Sequence, residues 1–213
     1  FFMLNLRSNI DKESCRNSVI MKGAVSIFKD VVTLKCKTQD ICFSMGGDCN
    51  VKGENVEKIK VDSKTGLMRE MAGLLVDCWW MMGEGKIDYS SSGSCAICYK
   101  VYFDENIKGY EEFKVKNGIP YSDLYNYTKR DMPNTDQSYL SYFYELSSID
   151  SVKNQILESN KINIDTDVIS FDKDYAVVTS IVKSQNHNPP IYVKFSANEL
   201  KDQAKCSNYI TEN

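Results

Sequence analysis

The sequence predicts a single α+β domain stabilised by disulfides, with an antiparallel sheet packed on a central amphipathic helix at 66–83 and a second helix at about 138–158. Three observations carry that reading. One long apolar run, residues 66–85, repeats its apolar positions at helical spacing. Several shorter stretches alternate apolar with polar residues, as half-buried strands do. The eight cysteines, an even number, are spread over nearly the whole chain. A chain of 213 residues can bury a substantial core as one domain, and no repeat or low-complexity tract divides it.

Taken in order, residues 1–14 read as a stub or linker beside an anchor. Phe1 opens a short apolar stretch that ends at Arg7, which is either the remnant of a longer apolar segment or a processed terminus. The domain proper runs over 15–206, and 207–213 form a polar tail. Residues 8–30 are polar and then mixed, with an apolar run at 18–28. Residues 31–36 alternate as a strand and 41–44 form a shorter one, followed by a turn at the paired glycines of 45–49. Residues 56–61 alternate apolar with charged side chains, the pattern of a strand with one wet face.

Asp62 or Ser63 then supplies the N-cap of the central helix, and Gly83 and Gly85 end it. At 100° per residue, Leu67, Met71, Leu74, Leu75, Cys78 and Met82 share one arc, flanked by Met68, Trp79 and Met81. Arg69, Glu70, Gly73 and Asp77 occupy the opposite side, and Trp80 falls among them. The run is too short to span a bilayer and carries charges within it, so it reads as a core helix.

Beyond a loop at 90–94, residues 95–104 predict a strand with Cys95, Ile97, Tyr99, Val101 and Phe103 on one face. Residues 110–127 are rich in tyrosine and read as short strands and loops. Residues 135–160 repeat apolar positions at threes and fours, which predicts the second helix. Residues 175–182 and 191–195 flank the 186–190 loop as a hairpin, and a helical turn at 197–204 leads to Cys206.

The balance of 26 basic against 29 acidic side chains, with no block of either sign, argues against nucleic acid as a partner. The single histidine, His187, excludes chemistry that needs several imidazoles. Cys95 and Cys98 have redox spacing, but they open a strand rather than a helix, and strand residues three apart point to opposite faces. The eight cysteines, Cys15, Cys36, Cys42, Cys49, Cys78, Cys95, Cys98 and Cys206, are therefore read as disulfide partners, with the pairing open. Cys78, on the buried arc, is placed either to pack as a small hydrophobe or to bond a neighbouring strand.

An alternative makes the chain a cytosolic zinc-stabilised module with Cys36, Cys42, Cys95 and Cys98 as ligands. Another makes it an enzyme with Cys78 or Cys98 as nucleophile and His187 as base. Asp165, Asp167, Asp172 and Asp174 do not match a calcium loop, and the Gly83–Lys86 stretch lacks the spacing of a phosphate loop. Asn126 begins the one N-glycosylation triplet noted. The thirteen tyrosines offer either core or recognition surface. Trp80, beside Arg69 and Asp77, is a partner-docking candidate if the fold leaves it exposed.

Four segments carry a resemblance: Cys15-Arg16-Asn17-Ser18-Val19, Leu34-Lys35-Cys36-Lys37-Thr38, Cys95-Ala96-Ile97-Cys98 and, most specific, the stretch DCWWMMGEGK at 77–86. Together they resemble uncharacterised membrane-anchored, cysteine-containing surface proteins of small-genome archaea of the DPANN type. The resemblance implies an ectodomain on the extracellular face of the cell membrane, tethered by a segment upstream of Phe1. It implies no activity. The expectation is a structural or interaction protein without catalytic site or cofactor, whose partners are other surface proteins or copies of itself.

Overall fold

The computed structural model describes residues 3–24, 32–51, 56–89, 94–114, 117–144, 162–183, 186–196 and 208–209. Across them the chain runs α1 (Met3–Ala24), β1 (Gln39–Ser44), β2 (Val56–Lys60), α2 (Lys64–Met81) and β3 (Ser94–Phe103). Three short helices and a strand follow, α3 (Glu105–Gly109), α4 (Glu111–Lys114), β4 (Gly118–Pro120) and α5 (Tyr121–Tyr127). The chain continues with α6 (Tyr139–Tyr144), β5 (Val168–Ser170), β6 (Tyr175–Lys183), β7 (Asn186–Lys194) and β8 (Asn208–Tyr209). The α+β class is as the sequence predicts.

The central helix forms as its periodicity dictates. The Ser63 hydroxyl accepts from the Gly66 amide at 3.1 Å, which satisfies one of the free amides of the first turn. Leu67, Met71, Leu74, Leu75 and Cys78 are all buried. The helix stops where Gly83, Glu84 and Gly85 take positive φ in succession, with the Glu84 amide donating back to the Trp79 carbonyl at 2.9 Å.

The main sheet has the order β2-β1-β3-β6-β7, with β8 beside the start of β3. Strand β3 pairs antiparallel with β6, and β6 with β7, but β1 runs parallel to both β2 and β3. The expected antiparallel sheet is therefore corrected to a mixed one. The reason is connectivity: α2 is the crossover between β2 and β3, and a helical crossover delivers the next strand in the same direction. Strand β2 is an edge, and its exposed Glu57, Lys58 and Lys60 are the charges that discourage edge-to-edge pairing.

A bulge resets the faces of β3. Ile97 pairs with Val178 and Tyr99 with Val177, so Cys98 is an extra residue in the ladder. Ile97 and Tyr99 consequently face opposite sides, which corrects the single face expected for residues 95–103. Tyr99 joins the α2 side, where Tyr192 of β7 donates its hydroxyl to the Met71 carbonyl at 2.9 Å. Cys98 is presented to α2 and bonds Cys78.

Three further segments differ from expectation. Residues 8–24, given no element by the sequence, belong to α1, whose buried stripe is Cys15, Ser18 and Val19. Polar residues on that stripe hide it from an apolar count. Residues 32–36 are not a strand; Cys36 is tied to Cys15, and the Lys35 amide donates to Ser18 Oγ at 2.9 Å. In the tyrosine-rich region, β4 is one of the expected short strands, while α4 and α5 are helices where loops were expected. There Gly118 is required, because a Cβ at that point would sit 2.3 Å from the Ile169 carbonyl across the β4–β5 pair.

Of the second helix, α6 is described; residues 145–161 lie outside the described residues, as do the helical turn at 197–204 and Cys206. The 186–190 stretch is strand rather than loop, and 208–209 of the polar tail pair with Ser94 and Cys95. No helix among the described residues is long and apolar enough to cross a membrane.

Candidate functional site

The polar side of α2 does not simply face solvent. Arg69, Glu70, Gly73 and Asp77 form one wall of a cleft of about 720 Å³. Pairing in the parallel half of the sheet supplies the opposite wall. Ile41 lies opposite Glu57 and two residues from the partner of Tyr99, so Ile41, Glu57, Ile59 and Tyr99 share the face toward α2. Lys12 of α1 and the segment from Met132 to Tyr142 complete the enclosure. A cleft of this size, apolar in its walls and with a few convergent polar groups, has the form of a small-molecule site.

Its electrostatics are uneven. Lys12 pairs with Asp77, and Arg69 with Glu70 at 2.9 Å. Glu57 has no ion-pair partner among the described residues. The cleft thus holds three carboxylates against two cations. The Tyr99 hydroxyl is buried without a partner in full hydrogen-bond geometry, and the acceptor closest to serving it is the Asp77 carboxylate, already engaged by Lys12. Burial, reinforced by the negative charges of Asp77 and Glu57, holds the Tyr99 hydroxyl well above the ordinary tyrosine range, so it stays protonated at neutral pH. A buried, unsatisfied hydroxyl costs free energy, which makes it a pointed feature of the wall.

Gly73 shapes the middle of the cleft. A Cβ there would meet nothing within 4 Å, so no close approach demands a glycine. Glycine in a helix interior costs about 1 kcal/mol relative to alanine. Its effect here is to leave the cleft open over the helix backbone.

At the far end of the same helix, Arg16 of α1 stacks on the Trp80 ring at 4.6 Å and lies 3.6 Å from Glu84. Tyr142 donates to Glu84 at 2.9 Å. Burial raises the Glu84 pKa, but the Tyr142 hydrogen bond and the charges of Lys86 and Arg16 outweigh it and leave the carboxyl below its usual range. Trp80, the docking candidate, is half-buried, and the guanidinium occupies one face of its indole.

The described cysteines are oxidised. Cys15 bonds Cys36, Cys42 bonds Cys49 and Cys78 bonds Cys98, and Cys95 is disulfide-bonded as well. Cys36, Cys42, Cys95 and Cys98, the alternative zinc ligands, therefore carry no thiolate and belong to separate bridges. The same bonding removes Cys78 and Cys98 as nucleophiles for a His187 base. Asn126 is exposed on α5, while Thr128 of its triplet is buried and donates to the Tyr125 carbonyl at 2.7 Å. The disulfides are consistent with an oxidising, extracellular setting.

Tyr99, Lys12 and Glu57 were not singled out by the sequence, since each sits in a pattern that reads as core or wet surface. The one visible signal was the polar arc of α2 with a glycine at its centre. Comparison with protein-family models, curated proteins and solved structures finds no match to this chain.

Proposed function

We propose that the protein is an extracytoplasmic domain at the outer face of the cell membrane, tethered through its N-terminal side, that works by binding rather than by catalysis. Its partners in this reading are other surface proteins or further copies of itself. The observation that carries the proposal is the oxidation of every described cysteine, in bridges that join α1 to the segment before β1 and α2 to β3. Buried bridges of that kind form and persist in oxidising compartments and are rare in a reducing cytosol. Oxidation also leaves no described thiol to act as a nucleophile.

The test is alkylation of protein taken from its native source without reduction, combined with protease treatment of intact cells. No alkylated cysteine before reduction, eight after it, and loss of the protein from intact cells support the reading. Free thiols at Cys78 and Cys98 in freshly isolated protein, or full protection in intact cells, overturn it.

A further inference from the structure

We propose that the cleft between α2 and the β1–β2–β3 half of the sheet binds a small organic ammonium ion, its apolar body over Gly73 and its charged head beside Glu57 and Asp77. Two independent observations point there. The first is an open cleft of about 720 Å³, walled by Ile41, Ile59 and Leu74, over a helix position that has no side chain and no neighbour to exclude one. The second is the charge of the lining, where the three carboxylates Glu57, Glu70 and Asp77 face only two cations, Lys12 and Arg69.

The charge selects the class. With Lys12 held by Asp77 and Arg69 by Glu70, the carboxylate left over is Glu57, so the site carries one negative charge more than it neutralises. An ammonium head supplies that charge, and its N–H groups can donate to the carboxylates. Tyr99, Tyr139 and Tyr142 also line the cleft, and ring faces attract cations that have shed part of their water. An anionic ligand would meet Glu57 unopposed.

The test uses the full oxidised chain and three probes of matched shape, phenethylamine, 2-phenylethanol and phenylacetate, followed by amide chemical shifts. Phenethylamine should move the Gly73 and Tyr99 resonances saturably, and 2-phenylethanol should bind about tenfold more weakly because it lacks the charge. Phenylacetate should leave both resonances in place. Gly73→Phe, which fills the middle of the cleft, should abolish the response, while Gly73→Ala serves as a folded control. Glu57→Gln should weaken phenethylamine severalfold and leave 2-phenylethanol unchanged. Equal binding of all three probes, preferred binding of phenylacetate, persistence in a folded Gly73→Phe variant, or no response of Gly73 and Tyr99 to phenethylamine each overturns the proposal.

Discussion

Arg16 on α1 lies over the indole of Trp80 on α2, with the guanidinium carbon 4.6 Å from the ring centroid, and the same head group donates to the Trp80 carbonyl. One side chain thus covers an aromatic face and adds a charged donor to a helix-end carbonyl that also accepts from the Gly83 amide at 3.2 Å. The contact fastens α1 to the stretch that most specifically marks this sequence. Arg16→Ala should cost about 2 kcal/mol, adding a partly desolvated cation–π contact to a charged hydrogen bond. Arg16→Lys should recover less than half, because an ammonium cannot stack and bond in that geometry. Denaturant unfolding of the oxidised protein, followed by tryptophan fluorescence, reads both. A cost below about 0.5 kcal/mol for Arg16→Ala would mean that the contact is surface decoration.

The bridges should differ in their resistance to reduction. Cys78 and Cys98 are fully buried between α2 and β3, whereas Cys49 is partly exposed in the turn after β1. Thiolate attack needs access, so mild reductant should open Cys42–Cys49 first and Cys78–Cys98 only once the core yields. Replacing Cys78 and Cys98 together by alanine should cost about 3 kcal/mol, given the 20-residue separation that the bridge closes. Timed alkylation with peptide mapping gives the order, and denaturant titration gives the cost.

How much of this was legible in the sequence depends on whether burial and periodicity coincide. In α2 they do: its arc of leucines and methionines, its Ser63 cap and its glycine stop all read directly, and a bond from Cys78 to a strand was one of the two roles its place on the arc allowed. In α1 they do not. Its inner stripe carries Lys12, Arg16 and Ser18, whose polar heads are satisfied by Asp77, by Glu84 with the Trp80 carbonyl, and by the Cys15 carbonyl. The partners of Lys12 and Arg16 are distant in sequence and invisible to a local pattern. The bulge at Cys98 is similar, since one inserted residue moves Tyr99 from the expected face to the cleft wall without changing local composition.

Asp104 anchors the turn after β1 to the start of α3. One carboxylate oxygen accepts from the Ser44 hydroxyl and the Met45 and Gly47 amides at 2.8, 3.0 and 2.7 Å, and the other from the Ile107 amide at 2.8 Å. Asp104→Ala should therefore cost about 3 kcal/mol or more, because it orphans several donors in a buried place at once. Asp104→Asn, which keeps the shape and one acceptor oxygen, should cost less. Thermal unfolding of the two variants side by side decides the point, and equal cost would refute a role for the second oxygen.

Alkaline pH should unfold the protein cooperatively. Burial holds the Tyr121 and Tyr192 hydroxyls well above the usual value of 10.0, and Tyr125 is raised for the same reason. In the unfolded chain these groups ionise near that usual value, whereas in the folded chain they must stay protonated. Their raised pKa values therefore give stability that is complete below about pH 10 and is lost as pH rises from there toward the folded values. Tyrosinate absorbance should appear together with loss of near-ultraviolet dichroism. Ionisation of all thirteen tyrosines without loss of tertiary signal would show that the buried ones have access to water.

Two buried tyrosines form a matched pair for the cleft. The Tyr192 hydroxyl donates to the Met71 carbonyl at 2.9 Å, and the Tyr99 hydroxyl has no partner in full hydrogen-bond geometry. Both are almost wholly buried on the side of the sheet that faces α2, so loss of an oxygen changes packing little in either. Tyr192→Phe removes a buried hydrogen bond to a carbonyl that keeps its helical partner, which should cost about 1 kcal/mol. Tyr99→Phe removes an oxygen that was desolvated without compensation, so it should leave stability unchanged or raise it by up to about 1 kcal/mol. Opposite signs in denaturant unfolding of the two variants would establish that the Tyr99 hydroxyl contributes nothing to folding. A cost for Tyr99→Phe equal to that for Tyr192→Phe would instead mean that Asp77 binds the hydroxyl in the folded protein and that the contact supports the fold.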